Sequence, residues 1–257
     1  MKIWEAIILG LIQGLTEFLP VSSSGHLVLV QNWLGIDPNL TLFFDVMLHM
    51  GTLIAVFIVF YKDILGLLKP PFKTLGLLVL ATIPAGIAML LFSDQIETLF
   101  QGQFLWIGFL ITAIMLLVTE YVGKKHPKDN PLGLKVSLIM GAVQAVAIVP
   151  GISRSGSTIS GGVYAGASRA TVAKFSFLMS IPVILGSAFV EIIKIDNWNA
   201  VPVLAVFLGM IASALSGYFA IRLMLKLIQK CNYKWFSLYL GILAVTLFVM
   251  EVIVPLC

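Results

Sequence analysis

The chain has 257 residues, 60% hydrophobic and only 11% charged, with a formal net charge of +4. Soluble domains carry about 25% charged residues, so this balance excludes a soluble globular enzyme and points to an all-α polytopic membrane protein. The basic surplus belongs to membrane topology rather than to a nucleic-acid partner, and two cysteines, Cys231 and Cys257, are too few for a disulfide framework.

In chain order, residues 3–20 form an apolar run ending in Glu17 and Pro20, then a serine-rich turn and a short apolar piece at 26–35. Glu5 and Gln13 interrupt the run and no small-residue cleavage site follows, so it is not expected to be a cleaved signal peptide. Stretches at roughly 39–60, 73–92 and 104–122 then reach the ~20 apolar residues that a membrane-crossing helix needs. Residues 134–150 repeat the opening pattern, ending in VPG before a Ser/Gly turn and a short apolar piece at 156–166. Three more spans, at roughly 170–193, 200–222 and 236–256, follow. Backbone that leaves the helix at membrane depth must be covered by protein or line a wet cavity. The two interrupted segments are therefore expected to be re-entrant helical hairpins. Six transmembrane spans plus two such hairpins make a single integral membrane domain, 1–257.

The loop charges set an expected orientation. Lys62, Lys69 and Lys73 follow the first span, Lys124, Lys125, Lys128 and Lys135 the third, and Arg222, Lys226, Lys230 and Lys234 the fifth. The loop SDQIETLFQGQ between the second and third spans is acidic. Basic loops stay in the cytoplasm, which puts both termini on the outer side.

A gapless shift of 131 positions, the distance from Gln13 to Gln144, lays the chain on itself. Ile8, Gly10, Gln13, Ser22, Ser24, Gly25 and Gly35 then meet Ile139, Gly141, Gln144, Ser153, Ser155, Gly156 and Gly166. The internal repeats are about 1–126 and 132–257. Three spans separate equivalent points, so the halves are expected upside down relative to each other, with the hairpin tips meeting inside the membrane. Inverted repeats with broken helices occur in secondary transporters, which makes a lipid or small-solute transporter the alternative reading. The repeat fails where chemistry is needed: Glu17 faces Ile148, Ser23 faces Arg154, and His26 faces Ser157. A one-sided set of acid, hydroxyl, imidazole and guanidinium points to catalysis rather than symmetrical gating.

Glu17 is costly at membrane depth unless it is an interfacial glutamate. Gln13, one helical turn earlier, joins it as a candidate ligand pair for a divalent cation that prefers oxygen. Ser22, Ser23, Ser24 and Gly25 form a turn whose hydroxyls and amides could cradle an anion, ahead of a short helix with an anion-favouring N-terminus. His26 is a candidate base or nucleophile beside Ser23. In VPGISRSGST, Ser153, Ser155 and Gly156 repeat the cradle around Arg154, whose guanidinium suits a phosphate. The two tips together read as a phosphate-handling site. Asp45 and His49, spaced i,i+4, are either a structural pair or a second part of the site. Glu120, Glu191 and Glu251 at span ends are expected to be solvated, with Arg169, Lys174 and Lys194 as flanking charges.

QGLTEFLPVSSSGH together with PGISRSGST resembles the undecaprenyl-diphosphate phosphatase family, also called the bacitracin-resistance protein family. The first motif is similar to that family's (E/Q)xxxE signature and serine-rich turn, the second to its PGxSRSGxT signature. The resemblance implies a membrane phosphatase of the bacterial plasma membrane that recycles a polyprenyl diphosphate carrier for cell-wall synthesis. It also implies an outward-facing site and a divalent cation, Mg2+ or Ca2+. By motif position the catalytic set is Glu17, Ser23, His26 and Arg154, with Gln13 at the first acid-or-amide position; Gln there removes one formal charge from a metal site. Ser23 is the preferred nucleophile or proton relay with His26 as base and then acid, and attack by His26 itself stays open. The sequence also leaves a homodimer open.

Overall fold

A computed structural model describes residues 1–36, 41–100, 104–125, 131–195, 201–228 and 232–253. Among them the chain is helical throughout: α1 (Ile3–Glu17), α2 (Ser23–Leu34), α3 (Thr41–Leu67), α4 (Lys73–Leu99), α5 (Leu105–Lys125), α6 (Leu134–Val146), α7 (Arg154–Tyr164), α8 (Arg169–Ile193), α9 (Val203–Leu227) and α10 (Lys234–Phe248). The last of these runs on into a π-helical turn, Val249–Ile253. Among the described residues six helices are long and apolar enough to cross a membrane: α3, α4, α5, α8, α9 and α10. These are the six spans expected from the sequence.

Several boundaries differ from those expectations, each for a local reason. Helix α3 continues past residue 60 through a non-helical backbone at Phe60. Helix α4 continues past a similar kink at Phe92, so residues 93–99 of the expected acidic loop are helical. The short helices α2 and α7 begin at Ser23 and Arg154 rather than at 26 and 156. Ser22 and Ser153 are their N-caps, the side-chain oxygens accepting from the amides of Gly25 (3.3 Å) and Gly156 (3.0 Å). Of the residues used for topology, Lys128 and Lys230 lie outside the described residues, as do Cys231 and Cys257.

Helices of the two halves start at Ile3 and Leu134, Ser23 and Arg154, Thr41 and Arg169, Lys73 and Val203, and Leu105 and Lys234. Packing crosses between the halves. Helix α1 lies along α9, with Gly10 against Gly209 and Ala212, and Gly14 against Ser213, Ser216 and Gly217. Helix α6 lies along α4, with Gly141 against Ala81. Contacts advance together along α1 and α9, so the two run parallel and the Glu17 end of α1 reaches the middle of α9. Both crossings are backbone-to-backbone, because a Cβ on Gly10 or Gly14 would overlap atoms of α9. Small residues at such crossings are how helices associate where lipid removes the hydrophobic drive. The outer faces carry large apolar side chains, such as Leu90 and Phe219, and the buried rings Phe18, Phe60 and Phe177 pack beneath the α1 tip.

Two of the span-end carboxylates are not solvated as expected. Glu120 is 2% exposed and accepts from Arg169 (3.0 Å) and from the amide of Tyr233 (3.1 Å). Glu191 is buried beside Lys194, and Lys174 pairs with Asp63 at 2.6 Å. Converging helix ends supply Glu120 with protein donors in place of water, and Glu191 finds its partner one turn on along α8. Glu251 is exposed, in line with the expectation.

The glycine crossings set a stability test. Gly10→Val pushes a branched side chain into the α9 backbone and should lower the unfolding midpoint in detergent by about 5 °C. Gly86→Ala, where a Cβ meets nothing within 4 Å, should leave it unchanged or slightly raised. Equal midpoints for both variants would show that the α1–α9 crossing is not tight.

Candidate active site

Glu17 is the last residue of α1 and is 5% exposed. A negative charge is disfavoured at the C-terminal end of its own helix and favoured at the N-terminal end of another. The chain supplies two of the latter, since Ser23 and Arg154 are the first residues of α2 and α7 and both bond the Glu17 carboxylate. Ser23 Oγ donates to Oε2 at 2.6 Å, and an Arg154 guanidinium nitrogen makes a short ion pair with Oε1. Gln13 Nε2 also donates to Oε2, at 3.0 Å, and His49 Nε2 lies 3.4 Å from the same oxygen.

Each tip needs an unusual backbone to bring these groups together. After Pro20 the chain turns through Ser22 at φ 68°, ψ 92°, a region non-glycine residues rarely adopt. Bonds on both sides hold it there: its hydroxyl caps Gly25, and its carbonyl accepts from the His26 amide (3.2 Å) and ring Nδ1 (2.7 Å). In the second tip Gly151 takes φ 86° and lies against Gly108 and the Leu105 carbonyl of α5. Thr112 fixes this loop, its hydroxyl donating to Gly151 O (3.1 Å) and accepting from the Ser153 amide (3.0 Å). The tips then interlock: Ser155 Oγ donates to Leu19 O at 2.9 Å, Gly156 sits against Pro20, and Gly25 against Gly151.

All four residues of the expected catalytic set lie at these tips, but their pairing differs from expectation. Ser23's hydroxyl partner is Glu17, not His26. Both ring nitrogens of His26 are engaged elsewhere, Nδ1 with Ser22 O and Nε2 with the Tyr239 hydroxyl at 2.7 Å. Arg154 divides its fork between Glu17 and the Ser176 carbonyl, 3.1 Å away. Ser22, Gly25, Ser153 and Gly156, expected to cradle phosphate, spend their hydroxyls and amides on helix caps in this conformation, and Ser155 spends its hydroxyl on the interlock. Ser24 is half-buried, 3.5 Å from the Ser22 hydroxyl. Asp45 and His49 do not bond side chain to side chain. Asp45 accepts from Gln31 (2.5 Å), while His49 Nδ1 faces the Asp45 carbonyl (2.7 Å) and so aims Nε2 at Glu17.

Sequence reasoning missed Tyr239 altogether. Nothing in its own helix sets it apart, and it meets His26 only across 213 residues of chain. The repeat carries a signal all the same, because the 131-residue shift sets Tyr239 opposite Gly108. At Gly108 a Cβ would strike Pro150 and Gly151, so one copy of the position must be empty while the other reaches toward the first tip. For His49, the spacing to Asp45 pointed to the wrong partner.

The result is a nearly enclosed group of one carboxylate with a hydroxyl, a guanidinium, a side-chain amide and the His49 imidazole on it, and His26 on the same tip. Arg154 and His49, with 16% and 25% of their side chains exposed, form its accessible side. Such a group can neutralise an anion and polarise a hydroxyl for phosphoryl transfer.

Comparison with known proteins agrees with this chemistry. The family described as bacitracin resistance protein BacA matches residues 6–246. The undecaprenyl-diphosphatase of Carboxydothermus hydrogenoformans is 42% identical over 257 residues, covering 98% of each chain. Those of Methanobrevibacter smithii (40%, covering 96% of this chain and 97% of the relative) and Thermodesulfovibrio yellowstonii (39%, 97% of each) are similar along the same length. The match runs through both interlocked tips and every span between them, and the chain belongs to the bacitracin resistance protein BacA family.

Proposed function

We propose that this chain is a membrane phosphatase that hydrolyses undecaprenyl diphosphate to undecaprenyl phosphate and inorganic phosphate. The observation that carries the reading is the convergence of Ser23 and Arg154, from opposite halves, on the buried Glu17 carboxylate. The relatives named undecaprenyl-diphosphatases favour hydrolysis over the transport alternative.

In the proposed reaction the terminal phosphoryl group enters from the Arg154–His49 side, and the isoprenoid chain leaves between spans into lipid. Arg154 turns part of its fork from Glu17 to the phosphoryl oxygens, with the N-terminal ends of α2 and α7 and Ser24 beside them. Glu17 already accepts the Ser23 proton in a hydrogen bond, which leaves the Oγ lone pairs free for attack. A Ser23 Oγ–P bond forms as the anhydride P–O bond breaks; the Ser23 proton passes to Glu17 and from it to the departing undecaprenyl phosphate. Water then attacks the same phosphorus, its proton passing to His26, and Ser23 is regenerated as phosphate departs.

The donor set bears on the divalent cation that the family resemblance implies. Gln13 Oε1 is buried without a hydrogen-bond partner; its amide turns Nε2 to the Glu17 carboxylate, and a flip of that amide would set two oxygens one turn apart that suit Mg2+ or Ca2+. Among the described residues no group of three His, Cys, Asp or Glu could hold a metal, so water and substrate oxygens must fill the rest of the shell. When bound, the cation would neutralise charge on the phosphoryl oxygens. The four proposed catalytic residues come from one chain, so the chemistry does not require a dimer. We place the site on the outer side of the bilayer, in line with the loop charges.

Purified protein should release phosphate from undecaprenyl diphosphate or a shorter isoprenyl diphosphate, and EDTA should abolish release until Mg2+ or Ca2+ is added back. Absence of release with every cation tested would sink the enzyme reading. Ser23→Ala and Arg154→Ala should each lower kcat/KM at least 100-fold. Arg154→Lys should recover little, because a point charge cannot span Glu17 and Ser176 together. A Ser23→Ala enzyme with most of its rate would transfer the attack to His26 or to water. For orientation, a single cysteine introduced at Ser93 should react with a membrane-impermeant maleimide added outside intact cells. Labelling there only after lysis would reverse the topology.

A further inference from the structure

His26 has its two ring nitrogens in different hands, and the chemistry of the partners fixes where the proton sits. Nδ1 is 2.7 Å from the carbonyl of Ser22. A carbonyl can only accept, so Nδ1 carries the proton and the neutral ring keeps its lone pair on Nε2. The atom 2.7 Å from Nε2 is the Tyr239 hydroxyl, which therefore donates. The rings lie within 15° of parallel, and Phe109 closes the other side edge-on at 5.3 Å. Tyr239 itself is 47% exposed, so it forms the outer wall of the His26 pocket and has room to move.

We propose that Tyr239 is a positioning residue that holds His26 in its Nδ1-protonated tautomer with the Nε2 lone pair oriented for proton transfer. The inference rests on the reading of His26 as a catalytic residue. In the proposed step the hydrolytic water displaces the phenol hydroxyl as the donor to Nε2. Both are O–H donors to Nε2, so one replaces the other without leaving the lone pair unpaired. As the water attacks phosphorus, its O–P bond forms, the Ser23 Oγ–P bond breaks, and the water's proton goes to Nε2. The imidazolium then returns a proton to Ser23 Oγ. Ser22 holds the ring from the opposite side, its cap carbonyl accepting both the His26 amide (3.2 Å) and Nδ1 (2.7 Å).

The chain has only three histidines, so 15N-histidine labelling of the whole protein in lipid nanodiscs resolves His26, assigned by its loss in His26→Gln. The wild-type spectrum should show Nδ1 as the protonated nitrogen and Nε2 as an unprotonated, hydrogen-bonded one. In Tyr239→Phe, which keeps the ring but removes the donor, the Nε2 signal should move to that of a free lone pair or to a tautomer mixture. Its kcat for phosphate release should fall about 10-fold with KM within about two-fold, a fraction of what a positioned base contributes. A proton on Nε2 in the wild-type protein overturns the proposal without any variant. So does a Tyr239→Phe enzyme with an unchanged Nε2 signal, or with an unchanged kcat. Wild-type protein that releases no phosphate would instead count against the phosphatase reading, leaving the tautomer assignment to stand or fall on the spectrum.

Discussion

A buried carboxylate at the end of a short helix organises this molecule. Glu17 stands where its own helix dipole disfavours it, out of contact with water, and a lone charge so placed would be expelled or neutralised. Ser23 and Arg154 prevent that, each as the first residue of a helix whose N-terminal end favours negative charge. Both tips must therefore bend back into the protein far enough to reach one carboxylate. Removing either partner of such a pair leaves an uncompensated buried charge, a loss on the order of 3–5 kcal/mol. The ion pair between the halves is thus a structural tie.

Everything around the pair limits where the tips can go. Two residues with positive φ, Ser22 and Gly151, turn the chain, and the caps made by Ser22 and Ser153 start the next helices one residue before the chemistry. Close approach does the rest: Gly25 meets Gly151, Gly108 admits the second tip, and Gly10 and Gly14 let α1 sink onto α9. The serines that looked like ligands are chiefly the joinery that holds Ser23 and Arg154 in position. A hydroxyl or amide already spent inside the protein keeps the tip rigid and holds the Ser23 hydroxyl on the Glu17 carboxylate.

The sequence made the six spans legible because an apolar run of membrane length has few other readings. The two polar tips were legible for the opposite reason, since clustered serines, glycines and charges are expensive there. Helix ends were less legible: a kink at Phe60 or Phe92 does not interrupt an apolar pattern, and a serine cap moves a start by a few residues. The pairings were least legible. Ser23 lies three residues from His26 and six from Glu17, yet it bonds the farther one, because one turn of α2 carries the imidazole back to the Ser22 carbonyl. Glu120 looked like a solvated span end because its partners, Arg169 and the Tyr233 amide, come from helices far along the chain. Nearness in sequence predicts contact only along one helix face, and this site is built almost wholly across faces.

The two halves of the sequence differ at the positions that carry ionisable groups. With the 131-residue shift, Glu17, His26, Asp45 and His49 stand opposite Ile148, Ser157, Ser176 and Ser180. Three of these four acidic or imidazole positions become serine in the second half. There, Ser176 gives its hydroxyl to Thr158 (2.6 Å) and its carbonyl to Arg154, while Ser180 bonds the Phe177 carbonyl (2.6 Å). One half thus carries the ionisable groups, and the other replaces them with small hydroxyls that satisfy backbone and neighbour. The exception is the position where Ser23 meets Arg154, since there the second half supplies the charge and the first the hydroxyl. The Glu17–Arg154 pair thus occurs once, because the positions equivalent to its members hold Ile148 and Ser23, and the exchange of Ser23 for Arg154 is where the internal match breaks.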